Sequence, residues 1–225
     1  MTVWPIVEKK LNDEDQRQIV VKLFEKSQTF FIGAHPLNVS AINLMFESIQ
    51  RLFKASIIQD LLMMQHDGKD SFLHCAMLKS EFSLFKIVSN FMEEKLDKDN
   101  FKKLLWRDDG FQTILCHNCS GKLITVEILK LYDKYLNSEE FFEIITSFEN
   151  YYIFLKSWRA FEIAEFKQIW QILVNKIDSV AQLIQFLTFE SDYSETVLDF
   201  ILRIKDRERL NFLQHIFYQW LTKNR

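Results

Sequence analysis

The stretch that decides the fold is Asp67-Gly68-Lys69-Asp70-Ser71-Phe72-Leu73-His74-Cys75-Ala76. It returns, altered but without gaps, on both sides. Thr29-Phe30-Phe31-Ile32-Gly33-Ala34 lies 42 residues before Ser71–Ala76, and Thr113-Ile114-Leu115-Cys116-His117-Asn118 lies 42 residues after it. Asp67 and Gly68 recur at the same offset as Asp109 and Gly110. Weaker echoes stand at Ile153-Phe154-Leu155 and at Thr196-Val197-Leu198. Self-similarity at a fixed period of roughly 20–50 residues marks a repeat array, in which each unit buries its apolar face only by stacking on the next.

A second register runs beside the first. Apolar residues at i, i+4, i+7 and i+8 mark one face of a helix. The pattern occurs at Met45, Ile49, Leu52, Phe53, then at Leu84, Val88, Phe91, Met92, and at Ile128, Tyr132, Tyr135, Leu136. It returns at Phe166, Trp170, Leu173, Val174 and at Leu213, Phe217, Trp220, Leu221. The spacings are 39, 44, 38 and 47 residues, with a mean of 42. Each unit therefore reads as a short helix from the Thr/Ser motif, a longer amphipathic helix, and a third short helix. The third helices are placed at 57–64, 101–106 and 141–148. Asn137 with Glu140, and Ser179 with Gln182, have the spacing of helix-start caps. Gly68 and Gly110 fall where the chain reverses between helices and the backbone needs freedom.

Composition agrees. Only 4 glycines and 2 prolines occur in 225 residues, too few for the turns of all-β or wound α/β folds. Hydrophobic residues at 48% supply a core, which excludes a disordered chain. The expected fold is all-α, an α-solenoid of stacked helical repeats. One domain over 1–225 would hold a half repeat at 1–26 and repeats beginning near 29, 71, 113, 153 and 196. The half repeat rests on Trp4, Val7 and Leu11, which match Trp170, Leu173 and Ile177 at a constant offset of 166. Half repeats at the two ends would act as caps, or join further repeats of a longer array, or serve as sites of self-association.

The motif resembles the ankyrin repeat, whose hallmark is T-P-L-H-x-A. Ser71, Leu73, His74 and Ala76 keep four of its positions, Thr113 and Leu115 two. Phe72 and Ile114 replace the proline, and the period is longer, within the range of HEAT and armadillo units, the alternative architecture. The resemblance implies a divergent, lengthened ankyrin-like array. In that family the histidine bonds neighbouring loop backbone and holds units in register, so His74 is expected to be structural, as are Leu73 and Leu115 between the units.

The class of function follows from what the chain carries. A net charge of −3 gives no basic excess to neutralise phosphates, so nucleic acid is not the expected partner. Apolar runs are broken by charges well short of the ~20 residues of a membrane span. The three cysteines, an odd number, and a start without a signal peptide fit an intracellular setting, cytoplasmic or nuclear. No two of the four glycines are close enough for a phosphate loop, and no cofactor is expected. The reading is a protein–protein interaction scaffold, not an enzyme, that meets another protein through its loop tips and first helices. Phe111, Tyr151, Tyr152 and Trp158 fall on that edge and would serve as aromatic anchors. The alternative is a metal-binding or catalytic protein using His74, Cys75, Cys116, His117 and Cys119. Cys116 and Cys119 have the spacing of half a zinc site, and His74 and Cys75 would complete it from the preceding unit. The plainer reading of these cysteines is small apolar filling between units. Arg203, Lys205, Arg207 and Arg209 form a basic run, but Asp206 and Glu208 interleave with it as in a salt-bridged, solvated face.

Overall fold

A computed structural model describes residues 13–25, 39–66, 70–78, 81–106, 122–146, 161–189, 196–203 and 206–223. Among the described residues the chain is all-α, with twelve helices and one two-residue strand pair. They are α1 (Asp13–Glu25), α2 (Val39–Leu52), α3 (Ala55–Met63), α4 (Phe72–Leu78), α5 (Phe82–Lys95) and α6 (Lys98–Leu105), followed by α7 (Lys122–Tyr135), α8 (Ser138–Thr146), α9 (Ile163–Lys176), α10 (Val180–Thr188), α11 (Val197–Arg203) and α12 (Arg207–Lys223). Strands β1 (Gln65–His66) and β2 (Asp70–Ser71) pair antiparallel, Gln65 opposite Ser71 and His66 opposite Asp70. The chain divides into two compact units, Met1–Trp106 and Arg107–Arg225.

Helices α2, α5, α7 and α9 are each 14 residues long. Together with α12 they start at intervals of 43, 40, 41 and 44 residues. After each of the four, an apolar residue and a short polar corner lead into a helix of 8 or 9 residues. Side-chain caps set three of the corners. Asp97 Oδ1 accepts from Asn100 N at 2.8 Å. Asn137 and Glu140 cap each other reciprocally, both bonds 2.9 Å. Ser179 Oγ accepts from Gln182 N at 3.1 Å, and Gln182 Oε1 accepts from Asp178 N at 2.9 Å. These caps satisfy N–H groups that the first helical turn leaves without a partner. They also explain why α6 and α8 begin three residues earlier than hydrophobic periodicity alone indicates: the first turn is polar.

In the first unit α1 packs on α2, and α2 on α5; α3 lies against all three, α6 against α5, and α4 against α5 and β2. Phe46 of α2 stacks face to face on Phe91 of α5, with ring centroids 3.8 Å apart, and meets Phe72 of α4 edge-on at 5.9 Å. In the second unit α7 packs on α9, and α9 on α12, while α8 contacts α9 and α10 contacts α11. The long helices thus touch their counterparts some 40 residues away within each unit. The stripes read from the sequence are their buried faces, apart from half-buried Phe53, Tyr135 and Phe217 and exposed Leu221.

One contact recurs at the ends of the 14-residue helices. The last carbonyls of an α-helix have no partner inside it. Here the carbonyl at the end of each 14-residue helix accepts from a distant side chain. Arg17 Nε donates to Leu52 O (3.0 Å), Gln59 Nε2 to Lys95 O (3.2 Å), Lys176 Nζ to Leu136 O (2.8 Å) and Trp220 Nε1 to Ile177 O (3.0 Å). Each bond contributes about 1 kcal/mol net and, more usefully, fixes how far one helix slides along the next. It also turns Trp220 inward against α9. The exposed apolar side chains of α12 are Tyr218 and Leu221.

Candidate functional site

Ser71, Leu73, His74 and Cys75 are all buried at the start of α4. Ser71 Oγ lies 2.6 Å from His74 Nδ1 and accepts from His74 N at 3.4 Å. The same arrangement occurs at the start of α11. Thr196 Oγ1 accepts from Asp199 N at 2.9 Å, while Asp199 Oδ2 accepts from Thr196 Oγ1 at 2.7 Å and from Thr196 N at 3.0 Å. The recurring sequence of a hydroxyl residue, two apolar residues and a polar residue is therefore a helix-start device. The hydroxyl takes a backbone N–H and the fourth side chain folds back onto the hydroxyl; of the residues between them Phe72, Leu73 and Val197 enter the core, while Leu198 is exposed. His74 is held in place by this local bond. The neighbouring loops at Asp67-Gly68 and Asp109-Gly110, whose backbone the ankyrin resemblance would have the ring bond, lie outside the described residues.

Asp199 shows the electrostatic side of the device. The Thr196 hydroxyl, and after it the Thr196 backbone N–H, holds its carboxyl below the ordinary 3.8; desolvation opposes them, and Arg203 adds a smaller pull downward. Because folding lowers this pKa, the contribution to stability is complete above the ordinary value and is lost as pH falls through the folded one. Replacing Thr196 with Val removes the largest cause. We expect the Asp199 carboxyl, followed by side-chain carbon NMR, to titrate higher in Thr196→Val than in the wild type. Coincident titration curves would show that the hydroxyl does not hold the charge.

The metal alternative is only partly within view. His74 and Cys75 are consecutive residues of α4, and Cys116, His117 and Cys119 lie outside the described residues. Among the described residues, no group of three or more His, Cys, Asp and Glu side chains comes together to hold a metal ion. Gly68, Gly110, Leu115, Phe111, Tyr151, Tyr152 and Trp158 also lie outside the described residues, as do the expected repeat starts at 29, 113 and 153. Among the described residues no helix is long and apolar enough to cross a membrane.

Within the basic run Arg209 is paired, and the interleaved Glu208 pairs outside the run. Arg209 is bonded to Asp206 at 3.3 Å, lies 5.2 Å from the centre of the Phe166 ring and donates to Phe161 O. Glu208 pairs with Lys167 at 2.8 Å. These contacts tie α12 to α9; Arg203 and Arg207 are exposed, and Lys205 lies outside the described residues.

Two surface features remain, both in the second unit. An open groove of about 500 Å³ runs between α9 and α12. Its floor is Val174, Ile216 and Trp220, its walls include Gln171, Asn175 and Gln219, and Asp178 and Lys223 also border it. Gln171 Nε2 already donates to Asn175 Oδ1 at 3.0 Å. The groove can form hydrogen bonds to a neutral polar group, but it assembles no acid–base pair. The second feature is a set of exposed aliphatic side chains, Val180 and Ile184 on α10 and Leu198 and Leu202 on α11, two helices in contact with each other. Sequence reasoning missed this set. Its signal was present in Val180–Thr188, which has apolar residues around most of its circumference and no charge.

Comparison with known proteins found no matching family, no matching curated protein and no matching solved structure.

Proposed function

We propose that the chain is a binding scaffold built from stacked, lengthened ankyrin-like repeats, and that it acts by holding a protein partner on its loops and first helices. The observation that carries the reading is the recurrence of equal 14-residue helices at intervals of 43, 40 and 41 residues, each followed by a short helix. Three details support the ankyrin-like form. A small β-hairpin precedes α4, as a β-turn precedes the helix pair of an ankyrin unit. The hydroxyl cap at Ser71 has its counterpart at Thr196. The ankyrin unit has about 33 residues. A third helix of 8 or 9 residues brings it close to the spacing found here.

Such a stack presents a long, stiff edge whose loops can differ in sequence without disturbing the core. Binding energy would then come from a few aromatic anchors inside a polar rim. The test uses the full chain, immobilised, against extract of the cells it comes from. The wild type should retain a protein saturably. A variant with Phe111, Tyr151, Tyr152 and Trp158 changed to Ala should bind it at least about tenfold more weakly, with unchanged helical circular dichroism. Absence of any saturable protein partner would overturn the reading. Equal retention by both chains would remove these four residues from the surface.

A further inference from the structure

The seam between α7 and α9 and the seam between α9 and α12 are equivalent, so each serves as a control for the other. Lys176 on α9 and Trp220 on α12 hold matching places. The first donates to Leu136 O at 2.8 Å and the second to Ile177 O at 3.0 Å, in each case at the end of the preceding long helix. Lys176 also pairs with Asp133 of α7 at 3.5 Å, and Lys130 and Lys134 stand exposed on that helix. Counted from the helix starts, Val174 takes the place of Asp133, and Gln171 and Asn175 take the places of Lys130 and Lys134. The same positions include Glu47 and Arg51 on α2 and Glu93 and Glu94 on α5. Of these four helices, α9 is the one with no charge there. Where the α7–α9 seam has an ion pair, the α9–α12 seam has a groove floored by Val174, Ile216 and Trp220.

We infer that this groove binds an extended, uncharged stretch of polypeptide. Its wall groups stand four residues apart, Gln171 and Asn175 on α9 and Gln219 and Lys223 on α12, as do Ile216 and Trp220 on the floor. Four residues of α-helix rise about 6 Å. Two residues of extended chain span about 6.6 Å, so groups that point the same way along it recur at nearly the same spacing. Alternate side chains then reach the apolar floor, while the main-chain N–H and C=O groups turn to one wall and the other in succession. A carboxamide offers a carbonyl oxygen and two N–H donors. The bond from Gln171 Nε2 to Asn175 Oδ1 leaves Gln171 Oε1 to accept from a peptide N–H and Asn175 Nδ2 to donate to a peptide C=O. These groups are neutral, so no ion loses its water when they meet. From Gln171 to Asp178 the helix rises about 10 Å, room for about three extended residues. The inference stands apart from the loop-edge reading, since it concerns another surface and is read with a defined peptide.

The probe is a pentapeptide, acetylated and amidated, with leucine at alternate positions and serine between. It is titrated into the full chain up to about 5 mM and followed by amide NMR. The side-chain signals of Gln171, Asn175 and Gln219 and the indole N–H of Trp220 should shift saturably. The same peptide N-methylated at both leucines loses those two N–H donors and should bind at least about tenfold more weakly. Asn175→Leu, at an exposed site, should weaken binding by a similar factor with unchanged helical circular dichroism. Gln185→Leu, exposed on α10, should bind as the wild type does. No saturable shift in the wild type overturns the inference. So does equal binding of the N-methylated peptide or equal binding by Asn175→Leu, either of which would leave apolar burial alone. Shifts produced by uridine and not by the peptide would overturn it too, and would give the groove to a small planar ligand.

Discussion

Trp170→Ala should lower the stability of the second unit by about 4–5 kcal/mol, near the top of the range for emptying a buried aromatic site. Trp170 is fully buried. Its ring meets Phe166 at 6.2 Å, Phe186 of α10 at 6.2 Å and Phe217 of α12 at 5.4 Å, all edge-to-face. One side chain therefore joins the long helix α9 to its own short helix and to the next long helix. Truncation loses the burial of the indole, leaves a cavity lined by three rigid rings, and removes three ring pairs each worth about 0.5–1.5 kcal/mol beyond their area. The rings are anchored on three different helices, so the site cannot collapse without moving a helix. Trp170→Phe keeps an aromatic edge and should cost about half as much or less. Urea unfolding followed by circular dichroism reads both: the midpoint should fall in the order wild type, Phe, Ala, with little change in slope. A midpoint for Ala within the error of the wild type would show that α9, α10 and α12 are not held together through this ring.

How much of this was legible beforehand depended on which physical signal each feature leaves in sequence. Long helices leave a strong one. The stripe Phe166, Trp170, Leu173, Val174 is buried as its spacing requires, and so is Leu84, Val88, Phe91, Met92. Their phase was less legible. A slip of four residues returns an α-helix almost to the same face, because one turn takes 3.6 residues. The pattern fits at Met45, seventh residue of α2, and equally at Leu84, third residue of α5. That one-turn ambiguity produced the alternating spacings of 39, 44 and 38, where the helix starts give 43, 40 and 41.

Caps were legible where the residue pair is standard, as at Asn137 with Glu140. The bonds from Arg17, Gln59, Lys176 and Trp220 to helix ends 35 to 43 residues away were not. A polar side chain that reaches another helix leaves no periodicity, and only packing determines which carbonyl it meets. The apolar face of α10 and α11 was hidden for a related reason. Leu183 and Ile184 are both apolar, and only their neighbours decide that one is buried and the other exposed.

Leu73→Asp should be the most damaging single substitution in the first unit. Leu73 is fully buried in α4, next to His74 and two residues before Cys75, in a segment where Phe72, Cys75, Ala76 and Met77 are also buried. A carboxylate there can neither keep its water nor find a cation on its own short helix, which reads Phe-Leu-His-Cys-Ala-Met-Leu. The charged form is therefore penalised by several kcal/mol, and protonation relieves part of the penalty only at acid pH. The lost leucine packing adds about 2–5 kcal/mol. A small domain typically has only about 5–15 kcal/mol in all, so the unit should lose most of its stability near neutral pH. The loss should not stay local: α4 packs on α5, and α5 packs on α2, so the long helices lose their cover with it. Hydrogen exchange should show protection falling together in Val39–Leu52 and Phe82–Lys95. Leu73→Met, close in volume, should cost less than about 1.5 kcal/mol and separates charge from shape. Lowering the pH from 7 toward 5 should return stability to the Asp variant relative to the wild type, since burial raises the pKa of the new carboxyl and its neutral form is the one that fits. An Asp variant that melts with the wild type at neutral pH would mean that α4 is not packed between β2 and α5, and the register that begins at Ser71 would fall with it.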